Sequence, residues 1–413
     1  MQPLTAALSR TDLETPAAPL SLEYLIAPVT RRQFIDRFWG QGHLFVHRER
    51  PTHFSSLFTL SDVDRWMMPS QVDEGRRITV VAAKGSDRAS METTTASTPQ
   101  EILYQRFDAG DTLRLLGVEK SWPSVATLVA SLAEELNVKA TVNAYLTPAH
   151  SQGLAAHFDY TDVFILQVEG AKEWFVYEPG FRSPLETDYG RTIDAAAHDE
   201  STLVLRECER LETGDVLYIP RGFYHKAITS DACSLHLTVS LHPIYWVDFL
   251  KRSVELLCAE NVELREALPP DFVQANGIRA EMDETFDALL QLVREKASFE
   301  ATLGSFIEQL TTSRRFPPDG HFTALAQLST LGLDATVERR LGLPCLVEST
   351  DRGAVLRFGP HRVQGPATLL PALEFIRDHR RFQVAELPAA LSDSSKLVLV
   401  RRLIRDGLLR PTG

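Results

Sequence analysis

A histidine and an aspartate stand two positions apart in His157-Phe158-Asp159, and a second histidine closes Pro220-Arg221-Gly222-Phe223-Tyr224-His225. Side chains on an extended strand alternate with period two, so His157 and Asp159 face the same way. A histidine from a later strand then completes a 2-His-1-carboxylate triad on one side of a metal. Three protein ligands leave open positions opposite, the arrangement found in non-haem Fe(II) oxygenases. Two of those positions suit a bidentate 2-oxo acid and the third suits dioxygen (O2). The same ligands also accept Mn, Co, Ni and Zn. Such a pair occurs by chance in many chains, so its surroundings decide its weight.

The surroundings read as strands. Val163 to Val168 is apolar and β-rich, Glu169-Gly170-Ala171 turns, and Lys172 to Tyr177 returns. Lys172 opens that strand beside Trp174 and Phe175. A lysine inside an apolar barrel is costly unless its ammonium meets an anion, and a co-substrate carboxylate is such an anion. The competing reading is a rim lysine that reaches water. Gly214-Asp215 turns into a strand at Val216 to Ile219, and Pro220 to Gly222 ends it, which aims His225 from a rigid corner. Ser234 to Ser240 alternates polar and apolar residues. Its hydroxyls, Thr238 among them, either line a cavity or face outward.

These residues resemble the JmjC-type 2-oxoglutarate oxygenases, in their ribosomal oxygenase branch. The matching positions are Asn143-x-Tyr145-x-Thr147-Pro148, Gln152-Gly153-Leu154, His157-x-Asp159, Asp162 to Gln167, Gly170 and Trp174. They continue through Gly214-Asp215-x-Leu217-Tyr218-x-Pro220-Arg221-Gly222-x-x-His225 and Ser234-x-His236-Leu237-Thr238. Arg31 to Trp39 and Leu44 to Arg48 resemble the family's entry to its barrel. The resemblance thins after about residue 245. It implies Fe(II) on His157, Asp159 and His225, and Lys172 on the distal carboxylate of 2-oxoglutarate. It places Asn143 and Tyr145 near the co-substrate and metal, with Thr238 as a further contact. It implies hydroxylation of a His or Arg side chain of a ribosomal protein. The arginyl branch tends to carry Arg where this chain has Lys172, which leans the expectation toward histidine.

The fold expected is α+β: a double-stranded β-helix (cupin or jelly-roll) barrel over residues 21–245, with residues 1–20 as a flexible N-terminus. Trp246, Phe249, Leu250, Val254, Leu257 and Leu264 then fall at helical spacing. So do Met282 to Val293 and Phe299 to Leu310. Pro269-Pro270 and Gly277 separate the first two stretches. Residues 246–332 therefore read as a helical bundle, and the resemblance implies a homodimer through it. Residues 333–413 carry short strands at Val355 to Phe358 and His361 to Val363. Helices at Leu369 to His379 and Lys396 to Asp406 and a last strand complete the pattern of a winged helix.

Arg401, Arg402 and Arg405 on the final helix raise a DNA-reading role. Against it stands the net charge of −12, which disfavours a basic nucleic-acid surface and suits a basic protein or peptide partner. The preferred reading is a docking module, with nucleic acid unlikely as a partner. Cys208, Cys233, Cys258 and Cys345 form no CxxC pair and no disulfide framework, so a reducing, cytoplasmic setting is expected. No stretch reaches transmembrane length, so no membrane is expected. Alternatives to the protein hydroxylase are a hydroxylase of a biosynthetic peptide or small molecule, an N-methyl-lysine demethylase, and a non-catalytic DNA-binding regulator.

Overall fold

The computed structural model describes residues 20–67, 77–81, 92–94, 100–186, 200–270, 272–273, 279–314 and 319–412. The expected flexible segment at the N-terminus, up to residue 19, and the Gly277 break lie outside them.

Five helices pack on one face of the barrel: α1 (Leu22–Ile26), α2 (Arg31–Arg37), α3 (Leu60–Met67), α4 (Gln100–Asp108) and α5 (Pro123–Leu136). Local chemistry sets their ends. Thr30 and Gln33 form a capping box on α2. Pro123 opens α5, where its missing N–H costs nothing, and Asn137 closes it at φ 53°. Val125, Leu128 and Leu132 bury one stripe of α5.

The barrel strands are β1 (Leu44–Val46), β2 (Arg77–Val81), β3 (Glu92–Thr94), β4 (Thr112–Leu116), β5 (Lys139–Thr147), β6 (Asp162–Glu169) and β7 (Lys172–Pro179). They continue with β8 (Leu205–Leu211), β9 (Val216–Ile219), β10 (Phe223–Thr229) and β11 (Ser234–His242). Eight of them form one sheet in the order β1-β9-β6-β11-β5-β4-β2-β3, and the other three form a sheet β10-β7-β8.

Alternation along the strands separates two interiors. Val142, Ala144 and Leu146 of β5, Phe164 and Leu166 of β6, and Leu235, Leu237 and Val239 of β11 meet the helices in the largest core. Phe34 of α2 packs there on Phe164 and Tyr218. Burying such a side chain contributes roughly 1.5–3 kcal/mol. The opposite faces meet between the sheets, where Val163, Ile165, Trp174, Val176 and Leu217 form a second layer. That interior also holds the polar residues of the site.

Beyond the barrel come α6 (Trp246–Cys258), α7 (Arg279–Lys296) and α8 (Phe299–Ser313). Phe249 stacks on Phe306 at 5.7 Å, and Arg252 Nε donates to Ser305 Oγ at 2.7 Å. α7 buries none of its residues, and Phe286 and Leu290 stay more than half exposed. Its apolar stripe is therefore a surface within this chain rather than core.

The C-terminal part has a core of its own, with Leu356, Phe358, Leu373, Ile376, Val400, Leu403 and Ile404. Its helices are α9 (His321–Ala326), α10 (Leu370–Asp378) and α11 (Asp393–Arg405). Its strands are β12 (Thr336–Arg339), β13 (Leu346–Thr350), β14 (Gly353–Phe358), β15 (His361–Gly365), β16 (Arg381–Gln383) and β17 (Leu409–Pro411). β12 lies between β16 and β17, and β13, β14 and β15 form a meander. Glu134 of α5 ties this part to the barrel, accepting from Arg339 at 2.9 Å and from the Gly342 backbone at 2.8 Å. No helix among the described residues is long and apolar enough to cross a membrane.

Candidate metal centre and its cavity

His157 and His225 are fastened to each other through their backbones. His157 N–H donates to the His225 carbonyl at 3.1 Å, and His225 N–H donates to the His157 carbonyl at 2.8 Å. One step further, Gly222 N–H donates to the Asp159 carbonyl at 2.9 Å. His157-Phe158-Asp159 is thus extended and paired, although it forms an isolated bridge and no full strand. His225 lies beyond β9 as the third residue of the later strand β10, and a bulge lies between it and Phe223. Gly222 holds φ +86°, and a Cβ there would sit 2.0 Å from the Phe181 carbonyl oxygen, so only glycine fits the corner.

The ligand atoms of His157, Asp159 and His225 all lie within 4.8 Å of one another. His225 Nε2 is 3.7 Å from Asp159 Oδ2. Each ring is oriented by the carbonyl two residues before it: His157 Nδ1 bonds Ala155 O at 2.8 Å, and His225 Nδ1 bonds Phe223 O at 3.1 Å. A carbonyl only accepts, so each Nδ1 carries the proton and each Nε2 keeps its lone pair. Burial, then His157 beside it, pushes His225 down to about 4, which keeps it neutral and ready to ligate. This donor set fits a divalent metal held on one face.

The cavity beside the triad is lined by Thr112, Tyr145, Lys172, Trp174, His236 and Thr238, among others. Lys172 is buried, and its Nζ donates to Thr147 Oγ1 at 2.8 Å. Among the described residues no carboxylate pairs with it. Burial alone pulls its pKa from 10.5 to about 7. Tyr145 stacks on His236 with centroids 4.9 Å apart. Burial raises the Tyr145 phenol, against the pull of Arg114. Thr238 lines the cavity because its neighbours Leu237 and Val239 face the helices. Asn143 shares the inward face of β5 with Tyr145: its Oδ1 accepts from the Gly117 backbone at 3.2 Å, and its side chain hydrogen-bonds that of Tyr145, which lines the cavity.

Comparison with known proteins gives the barrel its family. Residues 120–249 match the JmjC domain family. The chain carries a JmjC domain. Human "Ribosomal oxygenase 1" is 34% identical over 279 residues, covering 66% of this chain and 43% of that protein. The Dictyostelium discoideum "Bifunctional lysine-specific demethylase and histidyl-hydroxylase NO66" is 32% identical over 263 residues, covering 62% of this chain and 50% of that protein. The chain thus spans half or less of the length of these relatives. Escherichia coli YcfD, a ribosomal oxygenase solved in complex with cobalt and 2-oxoglutarate, superposes with a TM-score of 0.54. It does so at 18% identity, over 93% of this chain and 99% of that one. That likeness extends the shared fold well beyond the JmjC domain.

Thr147, Trp174 and His236 belong to this JmjC cavity but were not singled out from the sequence as ligand contacts. The period-two alternation of β5, β7 and β11, taken with Tyr145, Lys172 and Thr238, places them on the same inward faces. Thr112 comes from β4, which no sequence signal marked.

Proposed function

We propose that the chain is an Fe(II)- and 2-oxoglutarate-dependent oxygenase that hydroxylates a His or Arg side chain of a protein, and that this protein is ribosomal. One observation carries the reading. Lys172 is a buried cation without a carboxylate partner among the described residues, and it lines the same cavity as an open-faced metal triad. A dicarboxylate bound at the metal at one end and at the ammonium at the other satisfies both. The names of the relatives and the fold shared with YcfD support the choice. The net charge of −12 favours a basic partner.

His157, Asp159 and His225 would hold the iron through two prepared imidazole lone pairs and one carboxylate. When bound, iron and 2-oxoglutarate activate dioxygen and supply one oxygen atom to a substrate C–H bond, leaving succinate and CO2. Lys172 neutralises the distal carboxylate, and Thr147 fixes the ammonium in place. Val163, Ile165 and Trp174 keep water away from the reacting centre. The Asp159 side chain, 37% exposed, marks the side from which a substrate residue approaches.

Anaerobic loading with Fe(II), 2-oxoglutarate and ribosomal-protein peptides, followed by oxygen, tests the proposal. Succinate release coupled to one added oxygen on a peptide is the expected result. Succinate without peptide modification would reject the substrate. A second reading, N-methyl-lysine demethylation, is favoured by the name of the Dictyostelium relative, a bifunctional demethylase and hydroxylase. Formaldehyde release from a methyl-lysine peptide would establish it.

The flanking parts complete the proposal. Exposed Trp246, Leu250, Phe286 and Leu290 on α6 and α7 favour a homodimer through residues 246–332. A winged helix over 333–413 acts as a docking module. Arg401 donates to the Leu331 carbonyl and Arg402 pairs with Asp406, so neither guanidinium is held ready for DNA. A cytoplasmic setting goes with this reading.

A further inference from the structure

Asp162 stands three residues after Asp159, and Arg221 four residues before His225, yet neither lines the cavity. Asp162 opens β6 and faces the helices, on the side of the strand that also carries Phe164 and Leu166. It is buried. Its Oδ1 accepts from the Tyr218 hydroxyl at 3.0 Å and from the Arg221 backbone N–H at 3.3 Å. Tyr218 is buried too, and its hydroxyl oxygen accepts in turn from the Gly40 N–H at 2.9 Å. A line of hydrogen bonds thus runs from the turn after α2 to the corner before His225.

That corner meets the ligand segment twice in succession. Arg221 N–H donates to the Asp162 carboxylate, and Gly222 N–H donates to the Asp159 carbonyl at 2.9 Å. Two neighbouring peptide planes are therefore aimed at one stretch, residues 159–162. The Arg221 side chain is pinned as well: its guanidinium lies over the Tyr245 ring at 3.9 Å, and Nη1 donates to the Pro184 carbonyl at 3.1 Å. A carboxylate in the Asp162 position is costly, because burial raises its pKa against the pull of Tyr218 and Arg221. An apolar residue would fill the same volume at lower cost. What the carboxylate adds is direction, a fixed acceptor for one backbone N–H of the ligand corner.

We propose that Asp162, anchored by Tyr218, is a positioning residue that holds the Arg221-Gly222 corner and so sets the separation of the Asp159 and His225 ligand atoms. The inference rests on the metal-binding part of the oxygenase reading above. It adds a polar strut behind the metal, on the helix side of the sheet.

Metal binding separates positioning from packing, with no turnover needed. The full chain is titrated with Mn(II) by calorimetry, and its Co(II) complex is followed by visible absorption. Asp162→Ala removes the acceptor, whereas Asp162→Asn keeps an oxygen for the Arg221 N–H. Phe34→Leu loosens the same core, where Phe34 packs on Phe164 and Tyr218, and leaves the carboxylate untouched. Asp162→Ala should bind Mn(II) about tenfold to a hundredfold more weakly, the loss typical of an outer partner of a metal ligand, and its Co(II) bands should shift. Asp162→Asn should restore both to near wild type, and Phe34→Leu should alter neither. Wild-type Mn(II) affinity in Asp162→Ala would overturn the inference and leave the oxygenase reading standing. Equal weakening in Asp162→Ala and Phe34→Leu would assign Asp162 to packing and overturn it as well. If Asp162→Ala does not fold, Tyr218→Phe carries the test by freeing the carboxylate from its anchor. It should weaken Mn(II) binding about threefold or more, the scale of one hydrogen bond, and wild-type affinity there would overturn the inference. A wild-type protein that binds no Mn(II) would reject the metal reading, and the inference with it.

Discussion

The backbones of His157 and His225 bond each other in both directions, at 3.1 and 2.8 Å, so the two histidines form one rigid unit before any metal arrives. Asp159 is tied into the same unit through Gly222. The ligand set is preorganised by main-chain pairing, and its side chains contribute little to holding the fold. His157→Ala and Asp159→Ala should therefore lower 2-oxoglutarate turnover by more than about a hundredfold, beyond what losing an outer partner of a ligand costs. Thermal unfolding of the metal-free protein should shift by no more than a few degrees. Turnover that survives both substitutions would contradict the triad.

Gly222 sets the corner that brings His225 into register. In Gly222→Ala, the Cβ would collide with the Phe181 carbonyl at φ +86°. We expect a loss of more than about 2 kcal/mol in stability, measured by urea unfolding, together with weaker metal binding. A variant as stable as wild type would show that the corner tolerates a side chain.

Lys172 gives the cavity a pH signature. Its pKa falls from 10.5 to about 7 in the folded protein through burial. Between about 7 and 10.5 the unfolded chain binds more protons than the folded one, so this group makes stability rise with pH across that window. A bound carboxylate favours the charged ammonium and raises the pKa again. At pH 8, 2-oxoglutarate binding should then be accompanied by uptake of a proton. Calorimetry in two buffers of different ionisation enthalpy checks it, and Lys172→Met should bind weakly with no uptake. Heats independent of buffer in the wild-type protein would contradict the assignment.

The same substitution carries a stability prediction of opposite sign to its effect on binding. Lys172→Met replaces a buried ammonium by an apolar chain of similar length, and Thr147 Oγ1 still accepts from the Thr112 hydroxyl at 3.1 Å. The metal-free melting temperature should rise by about 2 °C or more at pH 6, where the wild-type ammonium is charged. A fall would mean that the lysine holds the barrel together.

The chemistry-bearing positions were the legible part of the sequence. The spacing of His157 and Asp159, the β9 strand at Val216–Ile219 and the Lys172 strand all stand where alternation and turn residues put them. The cross-barrel relationships were hidden, because they depend on register between strands distant in sequence. Thr147 from β5 meets Lys172 from β7, and Tyr145 faces His236 only because β5 pairs with β11 in that register. The two readings of Thr238 could be separated only once Leu237 and Val239 were seen against the helices. β8 was missed because Arg206, Glu207, Glu209 and Arg210 give it a charged, edge-strand composition with little apolar signal. α11 begins at Asp393, earlier than the apolar pattern shows, because the Ser392 hydroxyl caps it. Helical spacing marked an apolar face on α7 without saying what covers it.

The most direct test of the central claim is a single-turnover experiment. Purified chain is loaded without oxygen with Fe(II), 2-oxoglutarate and ribosomal-protein peptides, then exposed to oxygen while succinate and peptide mass are followed together. One succinate per oxygen atom gained by a peptide is expected, and neither in His157→Ala. Metal and 2-oxoglutarate binding with no succinate from any peptide, or succinate undiminished in His157→Ala, would contradict it.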